Sequence, residues 1–195
     1  MTDSRQLWVL AGGNGAGKTT FYDLYLAKYG ITFVNADLIA KDIDSDHPEN
    51  LSYYAATVAA KIREDLISKG ISFCFETVFS HESKIDFLAQ AKANGYEIIL
   101  VYIHLFHSSL NEARVKQRAA EGGHRVPPVK IHARVPRTMQ LIKTALPLVD
   151  EARVLDNSSR DDPFRQIIVM KYGNYEIVAD PLPKWAKDLL PTSGV

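Results

Sequence analysis

Short, continuously apolar runs recur along the chain at residues 7–11, 32–35, 72–75, 97–104 and 153–155. Runs of that length without polar alternation suit strands buried on both faces of a parallel sheet. Between them, residues 18–29, 52–69, 83–94 and 109–121 place apolar side chains at helical spacing. Gly30, Gly70 and Gly95 fall where each helix must stop before the next strand, the usual place for a left-handed residue. Strands alternating with helices predict an α/β fold, a doubly wound and mostly parallel sheet with helices on both faces.

Two regions interrupt that rhythm. Residues 44–50 are acidic and contain a proline, and read as a loop. Glu121-Gly122-Gly123-His124-Arg125-Val126-Pro127-Pro128 is a flexible joint followed by a stiff one, with Pro128 suited to open a helix. It is the expected hinge of a lid spanning about residues 114–137. Towards the end, residues 166–172 and 175–179 flank Gly173-Asn174 as in a hairpin, followed by a proline-rich stretch and a short helix around Trp185. These form an expected appendage over about residues 163–195 of a single domain covering 1–195.

The first strand runs into Gly12-Gly13-Asn14-Gly15-Ala16-Gly17-Lys18-Thr19, which fits G-x-x-x-x-G-K-[ST] between a strand pattern and a helical one. Such a loop turns successive N–H groups toward phosphates at a helix N-terminus that already favours anions. The fold expectation sharpens to a P-loop NTPase. Gly12, Gly13, Asn14, Gly15, Ala16, Gly17, Lys18, Thr19 and Thr20 are the expected nucleotide-binding residues. Lys18 is expected on the β and γ phosphates and Thr19 on Mg²⁺. A dinucleotide fingerprint fails, because its third glycine would fall on Lys18.

Phosphoryl transfer needs positioned phosphates, cations over the developing charge, and a group that takes the acceptor's proton. Asp37, just past the strand at 32–35, is the candidate base; capping the helix that starts at Leu38 is its structural alternative. Glu76 and Thr77 follow the run at 72–75 and are candidates for binding acceptor hydroxyls, or for Mg²⁺ through water. Residues 114–137 hold Arg114, Lys116, Arg118, Arg125, Lys130, Arg134 and Arg137 against Glu121 alone, a net charge of +6. Arg118 and Arg134 are the expected contacts of the transferred phosphate; Lys116 reads as solvated, and Pro136 leaves the aim of Arg137 open. Asp156, Asn157, Ser158 and Ser159 follow the last parallel strand, where a nucleotide base would lie.

Composition narrows the partners. The 195 residues carry 23 basic and 23 acidic side chains and are 46% hydrophobic, an ordinary globular balance that argues against a disordered chain or a basic nucleic-acid coat. One cysteine, Cys74, excludes an intramolecular disulfide and a cysteine-rich zinc site. Five apolar residues before Gly12 are too few for a signal-peptide core or a membrane span, so a cytoplasmic protein is expected.

In order along the chain, the P-loop, Val34-Asn35-Ala36-Asp37, Phe75-Glu76-Thr77, Arg114 with Arg118, Glu121-Gly122-Gly123-His124, Val126-Pro127 and Val154-Leu155-Asp156-Asn157-Ser158 resemble the zeta-toxin-like P-loop kinases. The resemblance implies ATP and Mg²⁺ as cofactors and phosphorylation of a small-molecule hydroxyl, in that family UDP-N-acetylglucosamine. It implies Lys18 and Thr19 at ATP and metal, Asp37 as base, Glu76 at the substrate, Arg118 and Arg134 at the phosphate, and a small antitoxin protein as partner. Val78 and Ser80 stand where zeta toxins carry a hydroxyl and a basic residue. Both departures fall on the sugar-nucleotide side and leave the acceptor open between that compound and another hydroxylated metabolite or nucleotide. Two other readings stay open: an NTP hydrolase or switch, although no N-K-x-D motif is present and the strand at 97–104 ends in histidine rather than aspartate, and a catalytically idle nucleotide sensor that docks protein or RNA.

Overall fold

A computed structural model describes residues 5–121, 123 and 126–191. The strands are β1 (Gln6–Ala11), β2 (Thr32–Val34), β3 (Phe73–Thr77), β4 (Glu97–His104), β5 (Glu151–Asp156), β6 (Arg165–Lys171) and β7 (Asn174–Ile177). They form one sheet in the order β2-β3-β1-β4-β5-β6-β7, of which the first five are parallel and the last two antiparallel. The helices are α1 (Lys18–Phe21), α2 (Ala36–Ile43), α3 (Ser52–Lys69), α4 (Ser83–Ala93), α5 (Ser108–Ala120), α6 (Pro128–Ala145) and α7 (Lys184–Lys187).

Strand side chains alternate between two cores, as a sheet covered on both faces requires. Leu7, Val9, Phe73, Phe75, Ile98, Leu100 and Tyr102 face one cluster together with Ala59 and Leu66 of α3, Leu88 of α4 and Ile142 of α6. Leu10, Cys74, Val101 and Ile103 face the other, with Phe21, Leu26 and Leu155. Each fully buried large side chain here contributes about 1.5–3 kcal/mol relative to exposure. Register aligns the carboxyl ends: Leu10 pairs with Glu76, Ala11 with both Thr77 and Tyr102, and His104 with Asp156. The polar residues that follow the parallel strands therefore emerge along one edge, where open α/β sheets bind ligands.

Several boundaries move from those predicted. β3 reaches Thr77, because Glu76 and Thr77 keep the ladder to β1 despite their polarity. After α1 the chain continues as a π-helical turn over Tyr22–Leu26 and a 3₁₀ turn over Ala27–Tyr29, ending at Gly30 with φ +66°. α6 runs through Pro136, held by its buried Ile131, Thr138, Ile142 and Ala145. The hairpin turn is Tyr172-Gly173, with φ of +48° and +79°, one residue earlier than predicted. Two positive φ values are what a two-residue primed turn needs.

Candidate active site

Between β1 and α1 the P-loop is shaped by contact as well as by torsion. A Cβ at Gly12 would meet the Ile103 carbonyl oxygen at 2.3 Å, and one at Gly17, whose φ is +100°, would meet Asn157 Nδ2 at 2.5 Å. Asn111, buried at the start of α5, donates to the Asn14 carbonyl at 2.8 Å. Asn157, buried after β5, donates to the Ala16 carbonyl at 2.8 Å and accepts from Phe164 N–H at 3.3 Å. The loop is thus clamped from both sides by amides, and the Asn157 side chain is used in that clamp rather than at a base. Asn111 gave no sign of this role in the sequence, since its contact spans 97 residues.

Lys18 is only 5% exposed, and its ammonium donates to the Gly12 and Gly13 carbonyls at 3.0 and 3.1 Å. It also lies 3.5 Å from Glu76 Oε1. Glu76 Oε2 accepts from Thr19 Oγ1 at 2.6 Å and from Asn35 Nδ2 at 2.8 Å. The Glu76 carboxylate thus stands at the end of the strand beside β1, in contact with both the P-loop lysine and the P-loop threonine. Thr19 and Glu76 offer the hard oxygen donors that Mg²⁺ takes sparingly from protein. Among the described residues no cluster of three or more acidic, histidine or cysteine ligands exists.

Asp37 does not cap α2. Asn35 does, accepting from the N–H groups of Asp37 and Leu38 at 2.8 and 3.3 Å through its side-chain oxygen. The Asp37 carboxylate has no hydrogen-bond partner among the described residues, is exposed, and borders two cavities. One, about 750 Å³, runs over the P-loop past Thr19, Thr20, Arg114, Ser159, Arg160, Pro163 and Phe164. The other, about 820 Å³, lies between α2, α3 and the start of α4, and is lined by Thr77, Val78, Ser80 and Arg134 among others. Gly15, Lys18, Asn35, Asp37, Glu76 and Arg118 border both.

The predicted cations divide. Arg118 faces the junction, with Gly123 N–H bonded to its carbonyl at 2.8 Å and no room for a Cβ beside its Cγ. Its Nε is buried and has no hydrogen-bond partner among the described residues. Arg134 donates to Asn14 Oδ1 at 3.2 Å. Arg114 donates to the Asn157 carbonyl at 2.9 Å, and burial together with nearby Arg160 pushes its pKa down. Lys116 pairs on the surface with Glu112 at 2.6 Å, and Arg137 turns back to the Ala133 carbonyl at 3.0 Å, so neither joins the site. Gly122, His124 and Arg125 lie outside the described residues. Thr77 borders the second cavity, but its hydroxyl accepts from Phe79 N–H at 3.0 Å and shapes the turn there.

A family model for Zeta toxin matches residues 3–162 of this chain. A protein of Haemophilus influenzae, known as an uncharacterized protein, is 31% identical over 127 residues, which is 62% of this chain and 90% of that one. The crystal structure of AvrRxo1-ORF1:-ORF2 with ATP superimposes at a TM-score of 0.74 with 17% identity, over 98% of this chain and 66% of that one. This chain therefore spans just under two thirds of that protein's length. A structure from the PezAT chromosomal toxin-antitoxin system of Streptococcus pneumoniae matches at a TM-score of 0.66 with 15% identity, covering 96% of this chain and 84% of that one. At such identities the solved structures speak for the fold.

Proposed function

The chain belongs to the Zeta toxin family of P-loop kinases, and from that premise we propose that it transfers the γ-phosphate of ATP to a hydroxyl of a small molecule. The observation that carries this reading is the pair of cavities meeting at Lys18, Asp37, Glu76 and Arg118. A hydrolase needs one nucleotide cavity and a water, whereas a kinase needs a donor and an acceptor cavity with its charged groups between them.

In this reading the donor triphosphate lies along the P-loop, with its base toward Phe164, Ser159 and Arg160. Lys18 turns from the loop carbonyls to the β and γ phosphates. Thr19 would hold Mg²⁺ directly and Glu76 through water, and the bound ion would neutralise charge on the transferred group. Asp37 accepts the proton of the acceptor hydroxyl as that oxygen attacks phosphorus, and the bridging oxygen leaves with ADP. Arg118 from α5 and Arg134 from α6 stabilise the equatorial oxygens, a role worth as much as about 10³-fold in rate or more. In this reading α5 and α6, which carry these two arginines, act as the lid. ATP in the AvrRxo1-ORF1:-ORF2 structure supports the donor, and the PezAT system supports a small antitoxin as protein partner. UDP-N-acetylglucosamine is the first acceptor to offer.

Incubation with γ-labelled ATP and Mg²⁺, against UDP-N-acetylglucosamine and a pool of cell metabolites, tests the reading. Label on an acceptor is expected; release of free phosphate alone would replace it with hydrolysis.

A further inference from the structure

The sheet face that packs on Phe21, Leu26 and Leu155 holds another cavity, of about 830 Å³, beside α1 and the turns that follow it. β1 contributes Trp8, and β5 contributes Arg153 and Leu155, alternate residues that share a face. Phe21, Tyr25, Tyr29 and Phe164 complete an aromatic wall. The rings of Phe21, Tyr25 and Phe164 pack on one another with centres 4.8, 5.5 and 5.9 Å apart, whereas those of Trp8 and Tyr29 have no ring partner among the described residues. A concave site of several hundred Å³, mostly apolar with a few polar groups, is the form that small-molecule pockets take. π-helical turns gather at functional sites, and the one here supplies Tyr25 and Leu26 to the wall.

Its charge has one sign. Lys28 and Arg153 line the cavity, and among the described residues no acid does. Arg153 Nε donates to Glu151 at 2.8 Å, but Glu151 also lies 3.4 Å from Lys171, so one carboxylate serves two cations. A planar guanidinium beside unpaired aromatic faces suits a flat ring that carries an anion. Among the described residues Phe164 alone borders both this cavity and the donor cavity. A Cβ on Gly17 of the P-loop would meet its ring at 3.4 and 3.5 Å, and its N–H is held by Asn157, the clamp of that loop. Its φ of +57° is a left-handed value that a bulky residue adopts only where its surroundings impose it.

We propose that this cavity is a regulatory site for a small aromatic anion, with the ring against Trp8 and Tyr29 and the anion at Arg153, coupled to the nucleotide through Phe164. An occupant behind the Phe164 ring holds it against Gly17, so less freedom remains to be lost when ATP arrives, and the two ligands strengthen each other. Linkage makes that effect equal in both directions. The site goes beyond the kinase reading, because it needs the nucleotide to bind but not to be turned over.

The experiment titrates the full chain with 1-naphthylacetate, following the Trp8 indole and the backbone amides by NMR, with and without Mg²⁺ and a non-hydrolysable ATP analogue. 1-Naphthylmethylammonium, the same ring with the opposite charge, and acetate, the charge without the ring, are the controls. Naphthylacetate is expected to bind at about 1 mM or tighter, with both controls weaker by about 10-fold or more. Arg153→Gln should weaken it by about 10-fold, as losing one charge-assisted contact implies, and Tyr29→Ser by about 3-fold. Tyr29 is 68% exposed, and Arg153→Gln leaves Glu151 its pair with Lys171, so folding does not confound both variants. The ATP analogue should tighten naphthylacetate about 5-fold, and naphthylacetate the analogue by the same factor. Equal binding of the ammonium, affinity unchanged in both variants, or no mutual effect with the analogue would overturn the proposal. So would a dimer that Tyr29→Ser dissociates, which would give the cavity to a second copy of the chain. Absence of a labelled acceptor in the transfer assay would overturn only the kinase reading.

Discussion

Glu76 gathers three donors, the Lys18 ammonium, the Thr19 hydroxyl and the Asn35 amide. Asn35 serves two elements at once, because its oxygen caps α2 while its nitrogen holds Glu76. Asn35→Ala should cost about 1 kcal/mol from the lost cap alone, read by urea denaturation. Asn35→Asp should keep the cap and most stability yet lower ATP affinity by about 10-fold, measured calorimetrically, because it sets a second carboxylate against Glu76. Equal ATP affinity in that variant would remove Asn35 from the site. Lys18→Ala should abolish both ATP binding and transfer. The P-loop was legible in the sequence because eight consecutive residues carry it; Asp37 was legible as a candidate base for the same local reason. The Asn35 to Glu76 contact spans 41 residues and the Asn157 to Ala16 contact 141, so no local pattern displays them.

At the scale of elements, the P-loop keeps its shape because α5 and the end of β5 each contribute a buried amide. Asn157→Ala would leave the Ala16 carbonyl and the Phe164 N–H without partners, which should cost about 1–3 kcal/mol. The matching thermal shift should be accompanied by weaker ATP binding, since the loop loses one of its two clamps; a variant with normal melting and normal affinity would contradict the clamp. Apolar runs located every strand of the parallel sheet, but their ends were misjudged where polar residues stay in the ladder, as Glu76 and Thr77 do. Glu76 and Thr77 still stood out as candidates, as the first polar residues after Phe75, although their place within the ladder depends on pairing with β1.

For the molecule as a whole, α7 folds back on the sheet. The Trp185 ring packs at a tilt with its centre 4.1 Å from that of His104, a side chain 5% exposed at the end of β4 whose Nδ1 lies 2.9 Å from Tyr102 Oη. Burial pushes His104 down to about 4, against a partial upward pull from Asp156. Unfolding frees the ring to titrate near its ordinary value of 6.5. Between those two pH values the unfolded chain binds a proton that the folded one refuses, so stability is full above the upper value and falls as pH drops, by up to about 3 kcal/mol. His104→Phe should flatten that part of the pH dependence, measured as urea midpoints at pH 7.5 and 5; an unchanged slope would mean that His104 does not carry it. The alternation of strand and helix made the two-faced architecture legible, whereas docking of the last helix depends on contacts between residues 81 positions apart.

In the proposed reaction Asp37, where the two cavities meet, takes the acceptor's proton. The most direct test compares Asp37→Asn with the unaltered protein for both ATP affinity and acceptor phosphorylation. ATP affinity near normal with transfer slowed by about 10² or more is expected. Transfer at the unaltered rate would contradict that role for Asp37.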